Sequence, residues 1–128
     1  MASELKVDKF TGVTTAGSID VTGEGNSTTT NLQQGLAKSW VLGSDAAALT
    51  DTFNTASGTD NGTGDYTYTF TNAMSSANFT SHATGMQNAR RYGFSEARTT
   101  TSNRLDFRDD NELSADCTNS SAIHGDLA

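Results

Sequence analysis

Proline is missing from this sequence, and cysteine, histidine and basic residues are scarce. Without proline, strand edges lack the residue that most firmly refuses to pair, so they must be covered in another way, and packing between subunits is one. Cys117 stands alone among 128 residues, which rules out an intrachain disulfide, a thiolate metal cluster and a CxxC redox pair, and fits synthesis in a reducing cytosol. His82 and His124 are the only histidines. With a single cysteine there is no third obvious nitrogen or sulfur ligand for zinc, so no metal and no cofactor is expected, a histidine shared between chains on a threefold axis being the alternative. Lys and Arg number 8 against 15 Asp and Glu, a net charge of −7. Such a chain repels phosphate backbones and anionic bilayers over about a Debye length, and nucleic acid is not an expected partner. No apolar run approaches a membrane span and Met1–Lys6 has no signal-peptide character, so neither membrane insertion nor export by the usual route is expected.

Only 34% of the residues are apolar, and Thr, Ser, Asn and Gly make up the shortfall rather than charge. Thr suits pleated surfaces, and Gly and Asn suit the turns between short strands, so the composition points to an all-β protein. The organising stretch is Thr59–Met74. Asp60-Asn61-Gly62-Thr63-Gly64-Asp65 reads as a turn, and Tyr66, Tyr68 and Phe70 then alternate with Thr67, Thr69 and Thr71 at the period of a half-buried strand. Burying each of those rings stabilises the fold by roughly 1.5–3 kcal/mol, so one short strand supplies much of the core. Further strands are expected from Leu36 onward and over residues 51–54, 78–84, 91–97, 103–108 and 117–124. Turns are expected over 72–76 and 85–88 and in the acidic loop Asp109-Asp110-Asn111-Glu112. Ala46–Leu49 is compatible with one helical turn, Leu32–Lys38 with a short helix interrupted by Gly35, and Thr55–Gly58 with a loop. Strands recurring about every ten residues predict an antiparallel β-sandwich, jelly-roll-like, over residues 35–128.

Residues 1–34 differ. Glu4–Phe10 alternates as a short strand would, Ile19 and Val21 mark a second, and Gly23–Thr30 has nothing to bury. The segment is too poor in apolar groups to hold a core, so it reads as an extended N-terminal arm for anchoring and oligomerisation, with Leu5, Val7 and Phe10 as its anchoring side chains.

Several residue groups invite a chemical reading. Asp60, Asn61 and Asp65 surround two glycines, but the calcium-loop spacing is not met and a turn accounts for them. No G-x-S-x-G elbow accompanies the many serines. Asp106, Asp109, Asp110, Glu112 and Asp116 could furnish a glycosidase acid pair, yet their crowding reads as a solvated face. Arg90 and Arg91 beside Tyr92 and Phe94 suit stacking on a sugar or base, with an ion pair to the acidic loop as the plainer alternative. Asn61-Gly62-Thr63 and Asn78-Phe79-Thr80 match the glycosylation triplet, as any chain rich in Asn and Thr does by chance.

Three pieces of the chain carry a resemblance: Asn26 to Trp40 with its Leu-Ala-Lys-Ser-Trp run, Asp51-Thr52-Phe53-Asn54 together with Thr59 to Met74, and the ending Ile123-His124-Gly125-Asp126-Leu127-Ala128. Together they resemble small structural proteins of marine tailed bacteriophages, of the cyanophage type, described as tail-fibre or virion structural proteins. The resemblance implies a non-enzymatic virion protein made in the bacterial host cytoplasm, a tail fibre or tail-associated knob involved in host attachment. The alternative is a capsid decoration or head-fibre protein on the shell, and a glycan-degrading enzyme ranks behind both. It further implies a homotrimer docked on other virion proteins of the tail or capsid through the arm. A host surface glycan or protein is then met by exposed loop residues, for which Arg90, Arg91, Tyr92, Asp109, Asp110 and Glu112 are the candidates.

Overall fold

The computed structural model describes residues 4–12, 19–22, 28–86 and 90–128. The chain divides into two compact units, Met1–Gly35 and Leu36–Ala128. In the first, β1 (Asp20–Thr22) pairs antiparallel with β2 (Thr29–Asn31), and one helical turn, α1 (Leu32–Gly35), follows directly. The Leu32 amide donates to the Ile19 carbonyl at 2.8 Å, tying the turn back to the start of the hairpin. The strand expected at Glu4–Phe10 is not formed. Alternation supplies a face but not a ladder, and no described strand pairs with this stretch, so Leu5, Val7 and Phe10 lie exposed.

The second unit is one antiparallel sheet of eight strands. They are β3 (Ser39–Gly43), β4 (Leu49–Phe53), β5 (Thr55–Gly62), β6 (Asp65–Phe70), β7 (Thr80–Met86), β8 (Tyr92–Arg98), β9 (Ser102–Arg108) and β10 (Thr118–His124). Their order is β4-β3-β10-β7-β8-β9-β6-β5. The meander β7-β8-β9 has β10 returning beside β7, a Greek key, and the same meander is flanked on its other side by β6. The sheet curls into a nearly closed, barrel-like sandwich whose two end strands, β4 and β5, are consecutive in the chain and turn at Asn54. Asn54 takes φ 54°, a left-handed value that Asn tolerates better than most residues. Its amide donates to the Lys38 and Asn72 carbonyls at 2.9 and 3.1 Å and its Oδ1 accepts from the Asn72 amide at 2.7 Å, fixing the corner. Beside it the Ser39 and Thr55 hydroxyls meet at 3.1 Å, bringing β5 against β3.

The expected strands over the second half of the chain are all present within one or two residues of their predicted bounds, as are the buried Tyr66, Tyr68 and Phe70 of β6. Three local expectations are corrected. Thr55–Gly58 is part of the long strand β5 rather than a loop, because pairing with β6 imposes extended backbone on a Thr-, Ser- and Gly-rich stretch with no hydrophobic contrast of its own. The turn after it is correspondingly tight, only Thr63-Gly64, with Gly64 at φ 71°. Ala46–Leu49 holds no helical turn; Ser44 Oγ accepts from the amides of Ala46 and Ala48, both at 3.1 Å, and closes a polar turn instead. Gly85 and Met86 belong to β7, while Gln87 and Asn88 of the turn expected there lie outside the described residues.

The interior shows why so few apolar residues suffice. Most of the large side chains come from β6 and β9, namely Tyr66, Tyr68, Phe70, Leu105 and Phe107, joined by Val41, Met74, Phe79 and Ile123. A Cβ at Gly43 would stand 2.0 Å from the Tyr68 hydroxyl and one at Gly93 2.6 Å from the Phe107 ring, so both positions are held to glycine by packing. Buried polar atoms are joined in pairs. Tyr68 donates to Asn119 Oδ1 at 2.8 Å, Ser95 to Asn103 Oδ1 at 2.7 Å, and Asn103 Nδ2 to Ser81 at 2.8 Å. Each such bond removes the cost of roughly 1–3 kcal/mol that an unsatisfied buried group would carry.

Candidate functional site

Alternation on β8 and β9 sends Gly93 and Ser95, with Asn103, Leu105 and Phe107, inward, and therefore sends Tyr92, Phe94 and Glu96, with Arg104, Asp106 and Arg108, to the outer face. The register then sets Tyr92 opposite Arg108 and Phe94 opposite Asp106. Tyr92 and Phe94 are 50% and 52% exposed, two neighbouring rings on one strand face. They wall two adjoining grooves. One, of about 300 Å³, is lined by Phe94, Glu96, Asp106 and Arg108. The other, of about 480 Å³, is lined by Tyr92, Phe94, Arg108, Asp109, Asp110 and Glu112.

Charge on this face is organised in couples. Arg108 Nε donates to Asp106 Oδ2 at 2.7 Å, and Arg104 Nε lies 3.2 Å from Glu96 Oε2. Arg104 also engages Asp65 through two of its nitrogens, with Nε to Oδ1 at 2.8 Å and Nη2 to Oδ2. The acidic loop is shaped by its own first residue. Asp109 Oδ1 accepts from the amides of Asn111 and Leu113 at 2.9 and 3.0 Å, and its amide donates back to the Leu113 carbonyl at 2.9 Å. Those amide donors hold the Asp109 carboxyl below the usual carboxylate range, and the nearby Arg91 charge assists. Glu112 takes φ 63° at the loop's end, where the chain turns back.

Of the six residues singled out for contact, Tyr92, Asp109, Asp110 and Glu112 converge on one groove. Arg90 is exposed outside the lining, and Arg91 is half-buried against Gly85, whose Cβ would stand 2.5 Å from the Arg91 Cβ. The Arg91 Nε, buried, meets no hydrogen-bond partner among the described residues. Arg108 and Glu96 were not singled out. Period-two alternation through Tyr92-Gly93-Phe94-Ser95-Glu96 and Arg104 to Arg108 carries the signal, but only pairing of the two strands shows that these side chains share a face.

The other candidates resolve into structure. Asn61 donates to Asp65 Oδ1 at 3.1 Å and Asp60 Oδ1 accepts the Gly62 amide at 2.9 Å, the bonds of a turn. Asp116 Oδ1 accepts from the Gly64 amide at 2.7 Å and from the Tyr66 hydroxyl at 3.3 Å. The His82 and His124 rings lie edge to face at 6.0 Å, and the described residues hold no group of three or more His, Cys, Asp or Glu suited to a metal ion. No helix among the described residues is long and apolar enough to cross a membrane.

The Arg104 couple makes a prediction about acid. Hydrogen bonding from Arg104 depresses the Asp65 pKa, so this carboxyl stabilises the fold above its unfolded value of about 3.9 and loses that contribution as pH falls through the lower folded value. Thermal melts taken downward from about pH 5 should show the melting temperature dropping below about pH 4. In Asp65→Asn that part of the acid limb should be shallower, and an unchanged limb would mean that Asp65 does not contribute to it.

Compared with known proteins, the chain matches no family model, no curated protein and no solved structure.

Proposed function

We propose that this chain is a non-enzymatic virion protein of a tailed bacteriophage, a tail fibre or tail-associated knob that takes part in host attachment. The observation that carries the reading is the pair of half-exposed rings, Tyr92 and Phe94, set among fixed charge couples on a rigid sheet face. Two neighbouring rings left in water on one face form an apolar patch of the kind that marks a contact surface. A sheet holds them in place beforehand, so little ordering entropy opposes contact. The separate Met1–Gly35 unit, with Leu5, Val7 and Phe10 exposed, supplies apolar side chains for docking on other virion proteins. For the homotrimer, support comes from a second outward patch, where Trp40 of β3 faces Phe53 of β4 across the ladder with exposures of 37% and 50%.

Two features weigh against an enzyme. A glycosidase needs one carboxyl with a raised pKa, and Asp109 is moved the other way. Asp106 and Asp116 are engaged in hydrogen bonds to Arg108 and to Gly64 and Tyr66. A capsid decoration protein would use the same two units, with the aromatic face against the shell or turned outward. Gold labelling of intact virions with an antibody to this chain, viewed by electron microscopy, separates the possibilities. Label on the tail is the expected result. Label spread over the head replaces attachment with decoration, and particles without label overturn the virion reading.

A further inference from the structure

We infer that the β8–β9 face binds a neutral glycan, with one sugar in each of the two grooves, so that at least two consecutive sugar units are recognised. The inference rests on the attachment reading and specifies what is attached to. Phe94 and Arg108 line both grooves and so stand on the boundary between them. Each groove has an aromatic wall, Phe94 for the smaller and Tyr92 with Phe94 for the larger. Their volumes of about 300 and 480 Å³ fall at the lower end of small-molecule sites, which span about 300–1,000 Å³. The rings are two residues apart on one strand, about 7 Å along its length, so they offer successive platforms to the apolar faces of successive sugars.

The polar groups fit hydroxyls better than charges. Asp106 is compensated by Arg108, while Glu96 shares Arg104 with Asp65, so this face keeps a modest negative charge and is rich in fixed donors and acceptors. Arg108 spends only its Nε on Asp106, so its terminal nitrogens remain as donors next to the carboxylate oxygen that still accepts. A donor beside an acceptor is what neighbouring sugar hydroxyls require. Asp110 and Glu112, on the rim of the larger groove, have no cationic partner among the described ion pairs and repel sulfate, phosphate and uronate groups. A cationic peptide would be drawn to that rim but would meet Arg108 on the boundary of both grooves, its charge directed at Asp106.

The test uses the full chain, biotinylated and displayed on streptavidin so that weak single-site binding is not missed. It is applied to an array of neutral mono- and oligosaccharides, sulfated and uronic-acid oligosaccharides and a lysine-rich peptide. The expected result is binding to neutral oligosaccharides, weaker for the monosaccharides, that falls about tenfold in Phe94→Ala and in Tyr92→Ala and is kept by Phe94→Tyr. Both rings are half exposed, so the variants should melt within a few degrees of the parent. Binding only to acidic glycans, binding only to the peptide, no glycan binding, or binding that survives both alanine variants overturns the inference. Virion label on the tail without glycan binding sinks the inference alone, whereas glycan binding with no label on particles sinks the virion reading alone.

Discussion

Replacing Tyr68 by alanine should remove a large share of the stability of the Leu36–Ala128 unit. The side chain is 2% exposed, reaches across the interior to Gly43 and Gly58, and ends on Asn119. The positions facing it are glycines, which have no side chain to move into the vacated space. Truncating a buried aromatic costs about 3–5 kcal/mol, against a total stability of about 5–15 kcal/mol for an ordinary domain. Tyr68→Phe isolates the polar part. It keeps the volume but leaves Asn119 Oδ1 without its 2.8 Å donor, for an expected loss of about 1–3 kcal/mol. Urea unfolding followed by far-ultraviolet circular dichroism gives both values. A Tyr68→Phe midpoint equal to the parent's would show that Asn119 finds another donor, and a mild Tyr68→Ala would show that the interior collapses around the loss.

Deleting residues 1–35 should separate folding from assembly. The truncated chain is expected to melt within a few degrees of the full one, because the eight-stranded sheet and its core lie within Leu36–Ala128. Incorporation into particles should be lost altogether, since the proposed anchors Leu5, Val7 and Phe10 go with the deleted segment. With Trp40 and Phe53 retained, light scattering behind a sizing column should still give a trimer mass, and a monomer from the truncated chain alone would place the oligomerising contacts in the arm. A monomer mass from the full chain would remove the trimer. Particles that carry the truncated chain at normal levels would remove the anchoring role, and failure to fold would show that the first unit belongs to the stability of the second.

Alkaline pH should reveal the same core from another side. Burial pushes the Tyr66 and Tyr68 hydroxyls and the Cys117 thiol upward, so each stabilises the fold below its unfolded pKa, about 10 or about 8.5, and loses that contribution as pH rises through the folded value. Asp116 adds to the effect on Tyr66 by accepting its hydroxyl proton at 3.3 Å.

By itself the sequence determined the fold class and most of the strands. Composition excluded disulfides and thiolate clusters, and the alternation Tyr66-Thr67-Tyr68-Thr69-Phe70 announced β6 because apolar and polar residues contrast there at period two. The strands β7 to β10 were legible from their recurrence about every ten residues and the turn residues between them. Where that contrast fails, so does the reading. Thr55–Gly62 alternates only among small polar residues, and its strand exists because β6 lies beside it; Glu4–Phe10 alternates well and forms no strand, because no described neighbour completes a ladder. The candidate groove divides likewise. Tyr92 and the acidic loop stood out as residue types, but Arg108 and Glu96 joined them only through register. Placing Tyr92 against Arg108, and Phe94 against Asp106, depends on how β8 meets β9. Tertiary structure alone also decided that Gly43 and Gly93 face Tyr68 and Phe107, because a glycine says only that a side chain is missing, and the neighbour that needs the space is fixed by the closing of the sheet.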